Sequence, residues 1–424
     1  MLAAGPPASL DVIGATRFQE YSGMNKPRLS ETGKLSAPAP MRRGPVILQV
    51  LPSLVTGGVE RGTVDVAGAV VAAGGTAIVV SAGGPMVHEL ERVGARHITL
   101  PVDSKNPLVM RRNVDRLEAI IRAEGVDLVH ARSRAPAWSA LAAARRAGVP
   151  FITTFHGTYG AGNLLKRRYN AVMTKGARII AISDFIAEHI RDVYKVDPAR
   201  IRVIHRGVDL SIFDPAKVPP ARIIQLARDW RLPDGAQVVM LPGRLTRWKG
   251  QTVFLEALAK LGRDDICAVV LGSDQGRTAY SEELSRLVEK LGLQHVVRFV
   301  EQCRDMPAAY MLADVVVSAS TDPEAFGRVV TEAQAMGKPV IATDHGGARE
   351  TVLEGQTGWL VPPGDASALA EAIGRALTLP QMDYRRMSAL ATATVRHSFT
   401  KSGLCAATLA LYRDVLAERH AAPG

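Results

Sequence analysis

Two carboxylates, Glu324 and Glu332, stand eight residues apart in the stretch Asp322-Pro-Glu-Ala-Phe-Gly327-Arg-Val-Val-Thr-Glu332. Ionised carboxylates are pure hydrogen-bond acceptors, so a pair opening on one crevice suits a polyol such as a sugar or a ribose. Glu324 lies between Pro323 and a Phe-Gly pair, which predicts a loop at a helix start. Glu332 then falls two turns along the apolar run that follows. Glutamates at this spacing on a surface helix are ordinarily solvated charge, so the flanks decide the matter. A proline–glycine loop stands on one side, and Ala333, Ala335 and Gly337 are small enough for close packing on the other.

Cations form a second constellation. A strand over Val238–Leu241 is followed by Pro242-Gly243-Arg244-Leu-Thr-Arg247-Trp-Lys249-Gly250. Arg244 and Lys249 could set two positive charges against a diphosphate, the electrostatic work a metal ion does elsewhere. Arg247 is read as part of a basic surface loop. Nearer the start, Gly57 and Gly58 precede a helix beginning near Val59, and free backbone N–H groups at a helix start favour anionic oxygen. His156 ends a strand in Thr154-Phe-His156-Gly157. His130 and His205 end other strands and read as structural, while His345, in the Asp344–Gly347 turn, approaches the same crevice without an assigned role.

Such residues must be held by strand ends. From residue 41 the chain alternates β-branched runs with longer amphipathic segments, the pattern of parallel α/β sheets. Strands are predicted at Pro45–Leu51, Thr76–Val80, His97–Leu100, Asp127–His130, Phe151–Phe155, Ile179–Ile182 and Arg202–Ile204. After a proline-bearing break at Asp214–Pro220, a second series follows: Val238–Leu241, Cys267–Leu271, Val296–Val300, Val315–Ser318, Pro339–Thr343 and Trp359–Val361. Two doubly wound sheets in tandem leave one obvious place for a ligand, the cleft between their strand ends.

Composition sets the outer bounds. A chain of 424 residues with 47% apolar content can build two such cores. Cys267, Cys303 and Cys405 are widely spaced, which indicates neither a disulfide framework nor a zinc site and reads as three buried small hydrophobes in a reducing compartment. Residues 1–40 read as a disordered tail upstream of a domain whose natural start could be Met41, without the apolar run of a secretory signal. The uncharged run Val66–Val87 is too rich in glycine for a membrane span, so a soluble chain is expected.

Charge is uneven. Residues 41–210 carry 24 Lys and Arg against 14 Asp and Glu, whereas residues 211–424 carry 24 of each. The excess gathers at Arg111-Arg112, Arg132 and Arg134, Arg145-Arg146 and Lys166-Arg167-Arg168, which favours an anionic partner. Nucleic acid ranks low among such partners, since aromatics are only 5% and no RNA module or zinc finger is recognisable. Dinucleotide chemistry is disfavoured too. The first strand turn lacks Gly-x-Gly-x-x-Gly, and the second strand runs into Ser81-Ala-Gly83-Gly84 without an acidic residue.

The Glu-x7-Glu pair, the Gly243-Arg244…Lys249-Gly250 loop and the Gly57-Gly58-Val-Glu60 turn together resemble the family-4 glycosyltransferases. Arg298-Phe-Val-Glu-Gln302-Cys303 with Ala309-Tyr310, Ser318-Ala-Ser320, Gly346-Gly347 with Glu350, and Pro363-Gly364-Asp365 extend the resemblance from Pro45 to the C-terminus. It is densest over Pro242–Asp365. The resemblance implies an α/β GT-B fold of two Rossmann-like, doubly wound domains, 41–210 on the acceptor side and 211–399 binding a nucleotide sugar. The active site would lie in the interdomain cleft, with a helix over 400–424 crossing back to the first domain.

It further implies a retaining, metal-independent hexosyltransferase with a nucleoside-diphosphate sugar as donor, a UDP-sugar first, and no other cofactor. Glu332 would hold the ribose and Glu324 the sugar hydroxyls beside the Gly327 backbone. Arg244 and Lys249 would meet the departing diphosphate, and His156 would lie against the donor sugar. Gly57, Gly58, Gly243 and Cys303, the last in the base-binding loop, would complete the donor site. Together with the basic first domain, this points to an anionic glycolipid or a polysaccharide precursor of lipopolysaccharide or exopolysaccharide type as acceptor. The expected setting is cytoplasmic, peripheral on an anionic inner membrane. The nearest alternative is a sugar-nucleotide epimerase of the same fold.

Overall fold

A computed structural model of the chain describes residues 44–55, 57–159 and 162–421, so the tail read over 1–40 lies outside the described residues. Seven parallel strands form the first sheet: β1 (Val46–Val50), β2 (Thr76–Ser81), β3 (Arg96–Thr99), β4 (Leu128–Ala131), β5 (Phe151–Phe155), β6 (Ile179–Ala181) and β7 (Ile201–Val203). Their order is β3-β2-β1-β4-β5-β6-β7. Six more form the second: β8 (Gln237–Pro242), β9 (Ile266–Leu271), β10 (Val297–Val300), β11 (Val315–Ser318), β12 (Val340–Thr343) and β13 (Gly358–Val361), ordered β10-β9-β8-β11-β12-β13. Each end lies within one residue of the strand expected from sequence. Runs such as Val-Ile-Leu-Gln-Val and Ile-Cys-Ala-Val-Val-Leu are buried throughout because helices cover both faces of a parallel sheet.

Each sheet accordingly has two cores, and successive residues alternate between them. In β1, Ile47 faces a core with Leu128, Ile152 and Leu411, while Leu48 faces another with Val129 and Phe155. In β8, Val239 and Leu241 point to one side, Val238 and Met240 to the other. The strand order reverses between β1 and β4 and again between β8 and β11. In doubly wound folds a crevice opens at such points beyond the carboxyl ends of the strands.

The chain passes between the two lobes twice, and the passages run side by side. The Val208 amide donates to the Phe399 carbonyl (2.8 Å) and the Lys401 amide to the Val208 carbonyl (2.9 Å), with a Lys401–Asp209 ion pair beside them. The helix Lys401–Ala421 then lies on the first lobe against the helix Gly58–Ala72. Its Leu411, Tyr412 and Val415 enter the core, and Tyr412 Oη meets His130 Nδ1 at 2.7 Å. Among the described residues no helix is long and apolar enough to cross a membrane.

Candidate functional site

The loops after β8 and β11 meet at the switch point of the second sheet. Lys249, in the short turn Arg247–Lys249 after β8, places Nζ 2.6 Å from Glu324 Oε1, in the loop after β11. Ser320 Oγ (2.7 Å) and Ser318 Oγ (3.3 Å) donate to the same carboxylate oxygen. Burial alone would push the Glu324 carboxyl up, but Lys249 and the two serines outweigh it, and the group titrates below its ordinary range. Glu324 is therefore an anion within a crevice of hydroxyls and ammonium.

Glycines make these loops fit. Gly250, at φ 73°, lies so close to the Ala319 carbonyl that a Cβ there would overlap it. Gly346, at φ 60°, lies against the Glu324 carbonyl, and Gly347 against the Phe326 backbone, so the double-glycine turn is the bed on which the Glu324 loop rests. The Gly347 amide donates to the Glu324 carbonyl (2.8 Å).

Glu332 sits in the helix Arg328–Ala335, which begins after Gly327, so it lies about one turn in rather than two. It is 8% exposed, accepting from Arg328 (2.6 Å) on one oxygen and Tyr310 Oη (3.1 Å) on the other. Cys303 follows β10 and packs beside the cluster that contains Tyr310, its thiol pushed up by burial. Gly243 leaves β8 through a bond from its amide to the Leu271 carbonyl, while Arg244 is exposed, and its side chain makes no hydrogen bond or ion pair among the described residues. Arg247, read as surface, pairs with Glu283 across two bonds (2.6 and 2.5 Å). Cys303 and Cys405 are only partly buried, and Cys267 alone matches the expected burial.

On the first lobe the helix Gly58–Ala72 starts one residue earlier than expected. The Gly58 carbonyl accepts from Arg206, and the Glu60 carboxylate folds back against Gly57. The turn thus presents a guanidinium and a carboxylate as well as amides. Arg206, just past β7, also donates through Nη2 to His156 Nδ1 (2.8 Å). A guanidinium has no lone pair to offer, so Nδ1 is the acceptor and the imidazole proton lies on Nε2. That Nε2 is buried without a partner among the described residues. Burial first, then Arg206 and Arg132, hold the imidazole well below its ordinary range, so it is neutral at physiological pH. Arg206 itself is lowered to about 9, by burial and then by Arg328 and Arg132.

The lobes are stitched together beside this site. Ser183 Oγ donates to the Ala325 carbonyl (2.6 Å), and Phe326 packs against His205 and Phe399. Glu350 accepts from the Asp184 and Phe185 amides (both 2.8 Å) and meets His205 Nε2 at 3.0 Å. Asp184, His205 and Glu350 keep their ligand atoms within 4.8 Å of one another, and the bonds Glu350 accepts make the trio a tie between lobes. His205, read as a structural strand-end residue, thus has its structural task at the lobe boundary.

Arg206, Arg328 and Phe326 are the participants that sequence reasoning passed over. Arg328 and Phe326 lay in view within the glutamate motif, and Arg206 directly follows a strand-end histidine, a signal that goes unread without the fold. A hollow of about 550 Å³ lined by Trp359, Arg375 and Asp383 lies toward the amino-terminal end of β13 and gathers no comparable set.

Residues 223–393 match the family described as glycosyl transferases group 1, and residues 56–212 match glycosyltransferase family 4. A glycosyltransferase from Rickettsia africae superposes with a TM-score of 0.83 at 38% identity, over 88% of this chain and 98% of that one. Anabaena HepE in complex with UDP and glucose superposes at 0.76 with 24% identity, over 87% and 99%, a likeness of fold. A D-inositol 3-phosphate glycosyltransferase of Salinispora tropica is 33% identical over 312 residues, 67% of this chain. The match spans 62% of that relative's length and 51% of a Mycobacterium bovis protein of the same name.

Proposed function

Because the chain belongs to the family-4, group 1 glycosyltransferases, we propose that it transfers a hexosyl unit, with retention, from a nucleoside-diphosphate sugar to an anionic acceptor. The observation that carries this reading is the Lys249–Glu324 pair, a half-buried cation and anion facing each other at the switch-point crevice. A nucleotide sugar presents matching groups to both: hydroxyls for the carboxylate and a diphosphate for the ammonium.

In this reading Glu332 holds the ribose through the oxygens it now shares with Arg328 and Tyr310. Lys249 and Arg244 stabilise the diphosphate as its bond to the anomeric carbon breaks, and the acceptor hydroxyl bonds to that carbon from the same face, its proton passing to the departing diphosphate. Neutral His156 donates from Nε2 to the donor sugar. Gly57, Gly58, Gly243, Gly327 and Cys303 line the rest of the donor site. UDP-sugars are the first donors to try, given the UDP complexes of HepE. Two protein cations on the diphosphate make a metal unnecessary, so EDTA should leave turnover unchanged.

The acceptor is proposed as a phosphorylated glycolipid or polysaccharide precursor at an anionic cytoplasmic membrane face. Support comes from the basic excess of the first lobe, and from Leu164 and Leu165, 82% and 81% exposed directly before Lys166-Arg167-Arg168. A soluble phosphorylated polyol is the second reading, favoured by relatives named as inositol-phosphate glycosyltransferases. The test is a panel of sugar nucleotides assayed for hydrolysis and transfer with both acceptor classes. Donor conversion without any acceptor would instead identify an epimerase. No response to any sugar nucleotide would defeat the proposal.

A further inference from the structure

Beneath His156 lies a feature that the transfer reaction does not use. Arg132, directly after β4, is 4% exposed, and among the described residues its guanidinium makes no hydrogen bond and no ion pair. Its Nε is buried without a partner. An isolated buried charge is among the most costly features a fold can carry, and it persists where something compensates it. Its nearest carboxylates, Asp65 and Glu60, bear on it from beyond ion-pair distance. Burial pushes the Asp65 carboxyl up.

Arg132 lines a small, partly open cavity of about 20 Å³, shared with Arg206, His156 and Thr154 and with the apolar Ile180 and Ile204. Among the described residues Arg206 also makes no ion pair, its donors going to the Gly58 carbonyl and His156. Two guanidiniums and an imidazole ring therefore border one small space. Roughly 10–15 Å³ of such space admits one water-sized body. So small a space favours a compact anion over a phosphate or a carboxylate ligand, and a water would leave both charges unbalanced.

We propose that this cavity is a halide site, holding one chloride ion between the Arg132 and Arg206 guanidiniums. Chloride is monovalent, spherical and an acceptor of several N–H bonds, which matches donors converging from different directions. Because the ion binds only the folded chain, chloride stabilises the first lobe by mass action. Arg132 and Arg206 take no part in the proposed transfer, although His156 beside them does.

The test uses the full chain in sodium gluconate, titrated with chloride or bromide at constant ionic strength. The thermal midpoint rises with either halide, by about 3 °C per tenfold increase above the dissociation constant, and stays level in gluconate. Arg132→Met, which keeps length and removes charge, abolishes the halide dependence. Should that variant not fold, crystals of the unaltered protein grown in bromide decide: an anomalous peak between Arg132 and Arg206 is expected. A midpoint indifferent to halide, a folded Arg132→Met that keeps the dependence, or a cavity holding water without anomalous signal overturns the proposal.

Discussion

Glu324 and Lys249 approach to 2.6 Å across 75 residues of sequence, joining the loop after β11 to the loop after β8. Each side chain is mostly buried, at 16% and 13% exposure, so the pair is both a structural contact and a pre-set charge arrangement. A ligand that enters between them meets groups already fixed in place, which is what electrostatic catalysis requires.

Glu324→Gln keeps the bonds from Ser320 and Ser318 but removes the charge. Turnover should fall about 100-fold or more, the usual scale for losing one preorganised group, while the fold survives. Lys249→Ala should lose a comparable factor and also destabilise the fold, since it strands a buried carboxylate. Steady-state kinetics beside urea unfolding would check both. Near-normal turnover in both variants would refute the assigned roles.

Stability should fall as the solution is acidified below about pH 6.5. His130 and His156 are both held well below their ordinary range, by burial first and then by neighbouring arginines. The unfolded chain takes up protons at these imidazoles from about 6.5 downward, while the folded chain refuses them until its lower values are reached. Each contributes a slope of about 1.4 kcal/mol per pH unit in that window. Glu324 and Glu350, where burial is outweighed by Lys249 and His205 respectively, add a second loss at lower pH as they protonate. Thermal midpoints measured from pH 8 to 4 should show both limbs; a level curve between 7 and 5 contradicts the histidine assignment.

Gly346→Ala should cost more than Gly355→Ala. Both glycines have left-handed backbone, at φ 60° and 69°, so each substitution carries a strain of about 1–2 kcal/mol. Only at Gly346 does the new methyl meet a backbone oxygen, that of Glu324. Denaturant midpoints would measure the difference, and only the Gly346 variant should also lose turnover. Equal effects would mean that the turn does not seat the Glu324 loop.

Replacing both Leu164 and Leu165 by Glu should abolish sedimentation with anionic vesicles while leaving sugar-nucleotide hydrolysis intact. Near such a surface each Lys or Arg contributes on the order of 1 kcal/mol, and salt weakens it. Binding by the unaltered protein should therefore rise with anionic lipid content and fall with salt. Equal binding to neutral vesicles, or none to either kind, removes the support for a membrane-bound acceptor.

The inner strands were legible because a strand buried on both faces must be largely apolar, with glycine or proline at the turns, whereas the edge strands β3, β7 and β10 are only partly buried and showed as short β-branched runs. The glutamates, Gly243, Lys249 and His156 could be picked out for a related reason: each stands next to such a turn, where local composition marks a strand end. Other relationships depend on contacts between distant segments, which local pattern does not encode. Phe326 reads as one apolar residue in a motif, yet it packs against His205 and Phe399 because the second lobe's loop enters the first lobe's core. Arg206 and His156 lie 50 residues apart, and only the neighbouring strands β5, β6 and β7 bring the guanidinium to Nδ1 and so place the imidazole proton on Nε2. Arg132 looked like one more member of a basic surface, because charge in a sequence carries no record of burial. Tertiary packing alone took it out of water and left its charge beside Arg206 on one small cavity.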